Sequence, residues 1–377
     1  MRDAVNPILQ FGTSRFLQAH ADLFISEAMQ SGEALGAVTV VQGTDNPASA
    51  RRVAAFNRPG GFTVRVRGWQ GGAVVDQERR VVSVTRALQA QRDWQQIRRE
   101  VAESVKVILS NTGDAGYALS PDDHAGLLAG EVAPRSFPAR LLVLLHGRHL
   151  AGGAPISIFP CELVADNGAV LRELVLQLAR AWEAEQAFIS WLVEGCVWVN
   201  SLVDRIVSEP LDPIGAVAEP YALWAIEAQA GMLLPCRHPQ IVVTEKLEPY
   251  EERKLFLLNL GHSFLAQQWL DTGGPADLTV VQAMGDPTLR ALLEAAWTRE
   301  VLPLFAARGE AEAQASRDYL REVRERFNNP FLAHRLADIA QNHAQKKQRR
   351  FAPVLALGRQ LGLAQPLLRA AMEGVPA

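Results

Sequence analysis

The feature that most constrains the fold of this chain is the order of apolar segments at its amino-terminal end. Residues 7–11 (Pro-Ile-Leu-Gln-Phe) and 37–41 predict two buried strands. Between them, residues 12–15 predict a turn, and the apolar residues of 16–29 recur near the spacing of an amphipathic helix. Strand, turn, helix and strand in this order predict a βαβ unit with two parallel strands.

The same alternation continues along the chain. The apolar pattern predicts strands at residues 62–66, 73–75, 81–84, 105–109, 156–159 and 242–245, and helices at residues 137–146 and 169–183. Beyond residue 246 it predicts helices at residues 251–269, 287–307, 310–327, 331–351 and 353–361. The chain is therefore predicted to have an α/β fold: an N-terminal Rossmann-like doubly wound sheet (1–245), followed by a mostly α-helical C-terminal domain (246–377).

Composition excludes several classes of function. Of 377 residues, 48% are hydrophobic, which is enough for a large core, and 38 basic against 41 acidic residues form no basic field for a nucleic acid. No apolar run reaches the roughly 18 to 20 residues of a membrane helix, and the first residues lack the apolar segment of a signal peptide. We expect a cytoplasmic protein that binds neither nucleic acid nor membrane.

Cysteine and histidine spacing predicts no metal site. Cys161, Cys196 and Cys236 form no C-x-x-C pair and are expected to be buried thiols. His146 and His149 are three residues apart, but the sequence shows no third ligand beside them. We therefore predict that the protein holds no metal.

The turn after the first strand is the place where dinucleotide-binding folds bring a pyrophosphate close to the backbone. Gly12 occupies the first position of the G-x-G-x-x-G pattern, but Ser14 and Leu17 stand at the other two. The turn fits an ordinary βα connection equally well. On the dinucleotide interpretation, the cofactor-binding residues of this segment are Gly12, Thr13, Ser14, Arg15 and Phe16.

Asp45 follows the second predicted strand, where a carboxylate can accept hydrogen bonds from a ribose diol. Such a carboxylate repels a 2′-phosphate, so we predict NAD as the cofactor, with NADP less favoured. Two features leave alternatives open. Arg51 and Arg52 lie close by and can hold a 2′-phosphate, and Asp45 is also suited to cap a helix.

The segment from Glu251 to His262 carries the most informative polar residues. On an α-helix, Lys254, His262 and Asn259 point about 0°, 80° and 140° around the axis, so all three can line one side of a cleft. Oxidation of an alcohol needs a base for the hydroxyl proton and donors for the oxyanion, and a desolvated lysine can act as the base. The alternative is a solvated lysine beside two packing residues.

Together with several other segments, this spacing resembles the long-chain polyol and hexuronate dehydrogenases, the mannitol dehydrogenase family. The K-x4-N-x2-H motif is matched by Lys254, Asn259 and His262, and residues 200–206 (Asn-Ser-Leu-Val-Asp-Arg-Ile) resemble a second family motif. Residues 110–116 resemble a loop that borders the nicotinamide in tagaturonate reductase (altronate oxidoreductase), and residues 160–168 match another family segment. The resemblance spans nearly the whole chain.

The resemblance implies a metal-independent, NAD(P)-dependent dehydrogenase of secondary alcohols. Lys254 would be the general acid and base, Asn200 and Asn259 would form the oxyanion site, and His262 would position the substrate. Asn111 would border the cofactor. This chain departs from the family at Ser14, where relatives usually carry a second glycine.

The predicted substrate is a sugar acid. Lys346 and Arg350 match basic positions of tagaturonate reductase and are four residues apart, so one helix face can present both to a carboxylate or a phosphate. A solvated basic helix end is the alternative. Two other functions stay open: a dehydrogenase of neutral or phosphorylated polyols, and a non-catalytic NAD(H) sensor. The sequence leaves the oligomeric state undecided.

Overall fold

The computed structural model describes residues 5–44, 47–113 and 116–374. By its internal contacts the chain divides into two compact units. The first unit contains the residues up to Val66, together with Gln77–Ala218 and Ala222–Leu247. The second unit contains Arg67–Asp76, Glu219–Tyr221 and the residues from Glu248 onward.

The described strands belong to three sheets. In chain order they are β1 (Ile8–Phe11), β2 (Val38–Gln42), β3 (Phe62–Gln70), β4 (Ala73–Val81), β5 (Val84–Gln89), β6 (Val107–Ser110), β7 (Ile156–Pro160), β8 (Cys196–Trp198), β9 (Ser201–Asp204), β10 (Val207–Pro210), β11 (Gly215–Ala218), β12 (Leu223–Glu227) and β13 (Ile241–Thr244). The central sheet has the order β5-β2-β1-β6-β7-β8, and the other two have the orders β10-β11-β3-β4 and β13-β12-β9.

The central sheet is parallel, and its strands are almost wholly buried. Ile8 pairs with Val38 on one side and with Val107 on the other. Without the β3–β4 hairpin, the order across the sheet is third, second, first, fourth, fifth and sixth strand, which is the order of dinucleotide-binding folds. The order reverses between β1 and β6, and ligands of such sheets bind at the carboxyl ends of the strands at that point. The predicted Rossmann-like sheet is confirmed.

The helices of the first unit are α1 (Arg15–Gln18), α2 (Ala21–Gln30), α3 (Pro47–Phe56), α4 (Trp94–Glu103), a 3₁₀ helix (Ala125–Ala129), α5 (Phe137–Leu150), α6 (Asn167–Ala181) and α7 (Gln186–Glu194). The prediction of one helix over 16–29 was wrong, because the chain leaves the helical conformation at His20. The buried His20 ring is held by a tertiary hydrogen bond, 3.0 Å from Nε2 to the Leu223 carbonyl oxygen.

Two strand predictions also need correction. The short strands predicted at 73–75 and 81–84 are in fact β4 and the start of β5. The middle of β4 (Asp-Gln-Glu-Arg-Arg) is polar because β4 is an edge strand with mostly exposed side chains. The strands between Cys196 and Glu227 were not predicted. Two of them, β9 (Ser-Leu-Val-Asp) and β10 (Val-Ser-Glu-Pro), lack the continuous apolar run of the predicted strands.

The second unit is mainly helical, as predicted. Its helices are α8 (Glu248–Arg253), a π-helix (Lys254–Asn259), α9 (Leu260–Thr272), α10 (Val280–Gly285), α11 (Pro287–Ala295), a second π-helix (Ala296–Val301), α12 (Leu302–Ala306), α13 (Glu310–Phe327), α14 (Leu336–Ile339), α15 (His343–Arg350), α16 (Ala352–Gln360) and α17 (Pro366–Glu373). No helix in the described part of the chain combines the length and the hydropathy that crossing a membrane requires.

Three of the long helices predicted for this unit are divided, and the one predicted at 287–307 consists of α11, a π-helix and α12. The helix predicted at 251–269 consists of α8, a π-helix and α9. The helix predicted at 331–351 is wrong for its first five residues, and the remainder is interrupted at Asn342, whose φ of 56° is left-handed. Asparagine tolerates this conformation better than most residues, so α15 starts afresh after it. Lys346 and Arg350 still share one helix, α15.

Candidate active site

A cavity of about 570 Å³ opens at the carboxyl ends of β1, β2 and β6. Its volume is in the range of small-molecule and cofactor sites. The described residues that line it include Arg52, Arg135 and Arg140 but no carboxylate. The cavity therefore suits an anionic ligand and lies where a doubly wound sheet binds one.

Gly12 shapes the floor of this cavity. It follows β1 with a φ of 109°, a conformation that L side chains rarely adopt. A Cβ atom on Gly12 would overlap the main-chain carbonyl oxygen of Asn111, which follows β6. Only glycine at position 12 therefore allows these two backbone segments to come so close. They meet at the point where the strand order reverses. Gly12 therefore sets the tight turn after β1, and its part in binding a dinucleotide stays a prediction.

The next residues of the turn connect β1 to β2. The Thr13 hydroxyl donates to Gln42 Oε1 at 2.5 Å and accepts from Arg52 at 3.0 Å. The Ser14 hydroxyl accepts from the Leu17 amide at 3.2 Å and so caps α1. Because Ser14 acts as the cap, its side chain has a structural function at the second position of the G-x-G-x-x-G pattern.

Arg140 is a cavity residue that the sequence did not reveal as functional. Its guanidinium is buried and donates to the main-chain oxygens of Pro134 and Gly43, at 2.7 and 3.0 Å. Burial lowers the pKa of Arg140 from its ordinary value. The sequence feature that could have indicated a functional Arg140 is its isolation in the apolar segment of α5 (Phe-Pro-Ala-Arg-Leu-Leu-Val-Leu-Leu). A buried cation in such a cavity is stabilised by an anionic ligand.

The loop after β6 is fixed by a buried carboxylate. Glu162 accepts from the Thr112 amide and hydroxyl, each at 3.0 Å, and from the Ser110 hydroxyl at 3.0 Å. The side-chain amide of Asn111 donates to the Cys161 carbonyl oxygen at 2.7 Å. These bonds connect residues 110–112 to residues 161 and 162 and so hold the start of the loop after β6 at the cavity.

The structure brings only part of the predicted cofactor set to the cavity. Gly12, Thr13, Ser14 and Asn111 line it. Arg15 is exposed at the start of α1, and Phe16 stacks on His20 with ring centroids 4.7 Å apart. Asp45 lies outside the described residues.

Asn200, also in the first unit, has a defined amide orientation. Its Oδ1 accepts from the Ala169 amide at 3.0 Å, and its Nδ2 donates to Glu227 Oε2 at 2.8 Å. Gly168 allows this approach, since a Cβ there would collide with the backbone at Val199 and Asn200. These contacts use one amide hydrogen of Asn200 and leave the second one available to a ligand.

In the second unit, Lys254 and Asn259 are the first and last residues of a π-helix. The Leu260 amide donates to the carbonyl oxygen of Leu255, five residues earlier, and the Leu257 carbonyl oxygen accepts from the buried Trp297 indole at 3.0 Å. The α-helical angles expected for these residues therefore do not apply. One wider turn separates Lys254 from Asn259 and brings them closer to one face.

The polar groups around this π-helix differ in exposure. Lys254 and Asn259 are half-buried, and the Asn259 amide makes no hydrogen bond with another described residue. His262 is buried and stacks on Phe327, with ring centroids 4.3 Å apart. A second imidazole, His334, lies edge-on to His262 at 5.0 Å. His334 was not singled out in the sequence, where it appears only as an isolated histidine.

Arg350, one member of the predicted anion-binding pair, contacts the same π-helix. One guanidinium nitrogen of Arg350 donates to the Asn259 carbonyl oxygen at 3.1 Å and to the Ser263 hydroxyl at 2.8 Å. Lys346 donates to the Ile339 carbonyl oxygen at 2.8 Å. Burial and the neighbouring Arg350 charge lower the pKa of Lys346. In the part of the chain that the structure describes, these two cations donate only to main-chain and hydroxyl oxygens. Two neighbouring cations without a carboxylate partner favour an anion.

The cysteines are buried free thiols, as predicted. Among the described residues, no group of three or more His, Cys, Asp or Glu side chains is arranged to hold a metal ion.

The first unit has a dinucleotide-type sheet with a cationic cavity, and the helical unit that follows carries the Lys-Asn-His motif. These two features are typical of the class of two-domain dehydrogenases. Family models agree with this assignment. The mannitol dehydrogenase Rossmann domain matches residues 6–233, and the mannitol dehydrogenase C-terminal domain matches residues 246–375. The chain belongs to the mannitol dehydrogenase family, and it is a dehydrogenase that acts on CH–OH groups.

Similar proteins and structures agree with that family. The altronate oxidoreductase of Klebsiella pneumoniae (strain ATCC 700721 / MGH 78578) is 33% identical over 95% of this chain and 76% of its own. That of Halalkalibacterium halodurans is 32% identical over 92% of this chain and 69% of its own. A substrate-free D-sorbitol dehydrogenase shares the fold with a TM-score of 0.83 at 18% identity, over 97% of this chain and 79% of that one. Pseudomonas fluorescens mannitol 2-dehydrogenase, in a complex with NAD and D-mannitol, has a TM-score of 0.74 at 20% identity, over 100% and 82%.

Proposed function

We propose that this protein is an NAD-dependent dehydrogenase that interconverts a secondary alcohol and a ketone of a sugar acid. The substrate pair is of the altronate and tagaturonate type or of the mannonate and fructuronate type. The observation that carries the proposal is the hydrogen bond from Arg350 to the carbonyl oxygen of Asn259. It joins Arg350, one of the two cations of α15, to the π-helix whose end residues are Lys254 and Asn259. The altronate oxidoreductases among the relatives support the same substrate class.

The cofactor cavity is that of the first unit. Gly12 allows the backbone after β1 to pass close to Asn111 at the edge of this cavity. We propose that the pyrophosphate binds there and that the cations of Arg52 and Arg140 offset its charge. Asn111 borders the cavity on the β6 side. When bound, NAD supplies the acceptor of a hydride and NADH its donor.

Lys254 is the proposed general base in oxidation and the general acid in ketone reduction. In oxidation, Lys254 Nζ takes the hydroxyl proton as the hydride leaves the carbinol carbon. In reduction, Nζ returns the proton to the developing alkoxide. Because the lysine performs the proton transfer and amides stabilise the oxyanion, the reaction proceeds without a metal.

The two asparagine amides are the proposed oxyanion donors. The Asn259 amide makes no hydrogen bond with another described residue, and Asn200 retains one amide hydrogen. Donors directed at the position where charge develops stabilise the transition state more than the ground state. His262 is proposed to position the substrate, since its stacking on Phe327 fixes the plane of its ring.

Lys346 and Arg350 are the proposed carboxylate subsite. Arg350 has two nitrogens, Nε and one terminal NH2, that make no hydrogen bond with described residues. An arginine with a free edge of this kind can bind a carboxylate in a bidentate manner.

A substrate panel tests the function. Absorbance at 340 nm would be followed with NAD⁺, NADH, NADP⁺ and NADPH against hexuronates, aldonates, hexitols, pentitols and polyol phosphates. We expect turnover with aldonates or their keto acids and a preference for NAD. Turnover limited to neutral polyols or polyol phosphates would contradict the substrate class. NADH binding without any turnover would indicate a sensor.

A further inference from the structure

The backbone of His334 holds its ring beside that of His262, with ring centroids 5.0 Å apart. Its carbonyl oxygen accepts from the Val280 amide at 2.9 Å, and the next residue, Arg335, forms an antiparallel bridge with Thr279. These contacts fix the segment before α14, although it has no regular secondary structure. The position of the imidazole is therefore determined by tertiary contacts.

The environment of the ring determines which atom can bind a ligand. Nδ1 is buried and has no hydrogen-bond partner among the described residues, whereas Nε2 is not buried. A buried N–H without a partner is unfavourable, so the tautomer with the proton on Nε2 is preferred. Burial, together with the charges of Lys346 and Arg350, lowers the pKa of His334 and outweighs the opposing charge of Asp338. At neutral pH the ring is thus an uncharged donor.

We propose that His334 is a specificity-determining residue whose Nε2–H donates to the carboxylate of the sugar acid, beside Lys346 and Arg350. This inference rests on the proposed function. The ring lies 5.0 Å from that of His262, so His334 connects the carboxylate subsite with the residue that positions the reacting end. A neutral donor adds a directed hydrogen bond to the two cations without a third buried charge, whose desolvation would be unfavourable.

Two substitutions separate this role from simple packing. His334→Phe keeps an aromatic ring against His262 but removes the donor, and His334→Gln removes the ring but keeps an N–H. We expect His334→Phe to raise the KM of the sugar acid about tenfold, equal to about 1.4 kcal/mol, with little change in kcat. His334→Gln should recover most of that loss. The KM of a neutral polyol should change in neither variant. His124→Gln, at an exposed histidine of the first unit, is the control.

Calorimetric titration of altronate into the protein, alongside turnover, distinguishes the possible failures. Binding and turnover by the wild type, with a loss specific to His334→Phe, supports both proposals. Binding without turnover contradicts the proposed function alone, because the dissociation constants still report on His334. Equal constants for wild type and His334→Phe overturn the inference, as does an equal loss for acid and neutral ligands. No binding of the acid by the wild type overturns both. Melting temperatures and NADH titrations verify that each variant is folded.

Discussion

Replacing Arg350 by alanine separates two functions of one guanidinium. One terminal nitrogen supports the π-helix through the Asn259 carbonyl oxygen and the Ser263 hydroxyl, at 3.1 and 2.8 Å. The other terminal nitrogen and Nε are the proposed carboxylate donors. Loss of support at Asn259 lowers turnover of every substrate by the same factor. Loss of the carboxylate contact lowers turnover of acids only.

The magnitude follows from the contacts. A hydrogen bond to a charged group contributes about 1.5–3 kcal/mol. Loss of the carboxylate contact should therefore reduce kcat/KM for the acid, relative to a neutral polyol of equal chain length, by about 10- to 150-fold. The loss of turnover caused by removing the contact with Asn259 affects both substrates equally, so it cancels in this ratio. If a neutral polyol turns over too slowly for a KM to be measured, its affinity is measured instead as a competitive inhibition constant. The change in that constant is then compared with the change in the KM of the acid.

Arg349→Ala is a matched control, because it removes the same charge from the adjacent, exposed position of α15. It should leave the acid-to-neutral ratio within twofold of wild type. An Arg350→Ala protein that loses acid and neutral activity in equal proportion would refute the carboxylate contact and leave only the structural role. Equal effects of the two arginine variants would show a long-range charge effect instead.

Three further outcomes are expected. Lys254→Ala should lower kcat at neutral pH by about 100- to 10,000-fold and leave NADH binding nearly unchanged. Lys246→Ala is the control. Loss of NADH binding by a folded Lys254→Ala protein would contradict the assigned role. Gly12→Ala should weaken NADH binding at least about tenfold in a fluorescence titration. Gly32→Ala, at a positive φ without crowding and away from the cavity lining, should bind NADH nearly normally. Burial raises the pKa of Asp22 to about 8, so the folded state retains a proton that the unfolded state releases near pH 4, and stability should fall between about pH 4 and pH 8. Asp22→Asn should make the fall in the free energy of unfolding smaller by about 1.4 kcal/mol per pH unit. Unfolding curves measured at pH 6 and pH 8 test this expectation. An equal shift between the two pH values for wild type and Asp22→Asn would contradict it.

Much of the first unit follows from local sequence. Short apolar runs separated by turns predict buried parallel strands, because each run is too short for a helix of ordinary length and carries no polar face. The reversal point between β1 and β6 then places Gly12 and Asn111 together. The other strands were harder to predict. β4 is polar along most of its length, and half of the residues of β9 and β10 are polar (Ser-Leu-Val-Asp and Val-Ser-Glu-Pro).

The site residues show the same division. The sequence by itself determined that Lys254, Asn259 and His262 share one helical segment, and that Lys346 and Arg350 share another. Only the tertiary structure decided that the first segment widens into a π-helix, where the Trp297 indole binds the Leu257 carbonyl oxygen. It also decided that Arg350 hydrogen-bonds to Asn259 and that His334 lies against His262. These contacts join residues 40 to 91 positions apart, and local periodicity carries no information about pairs that meet only through packing.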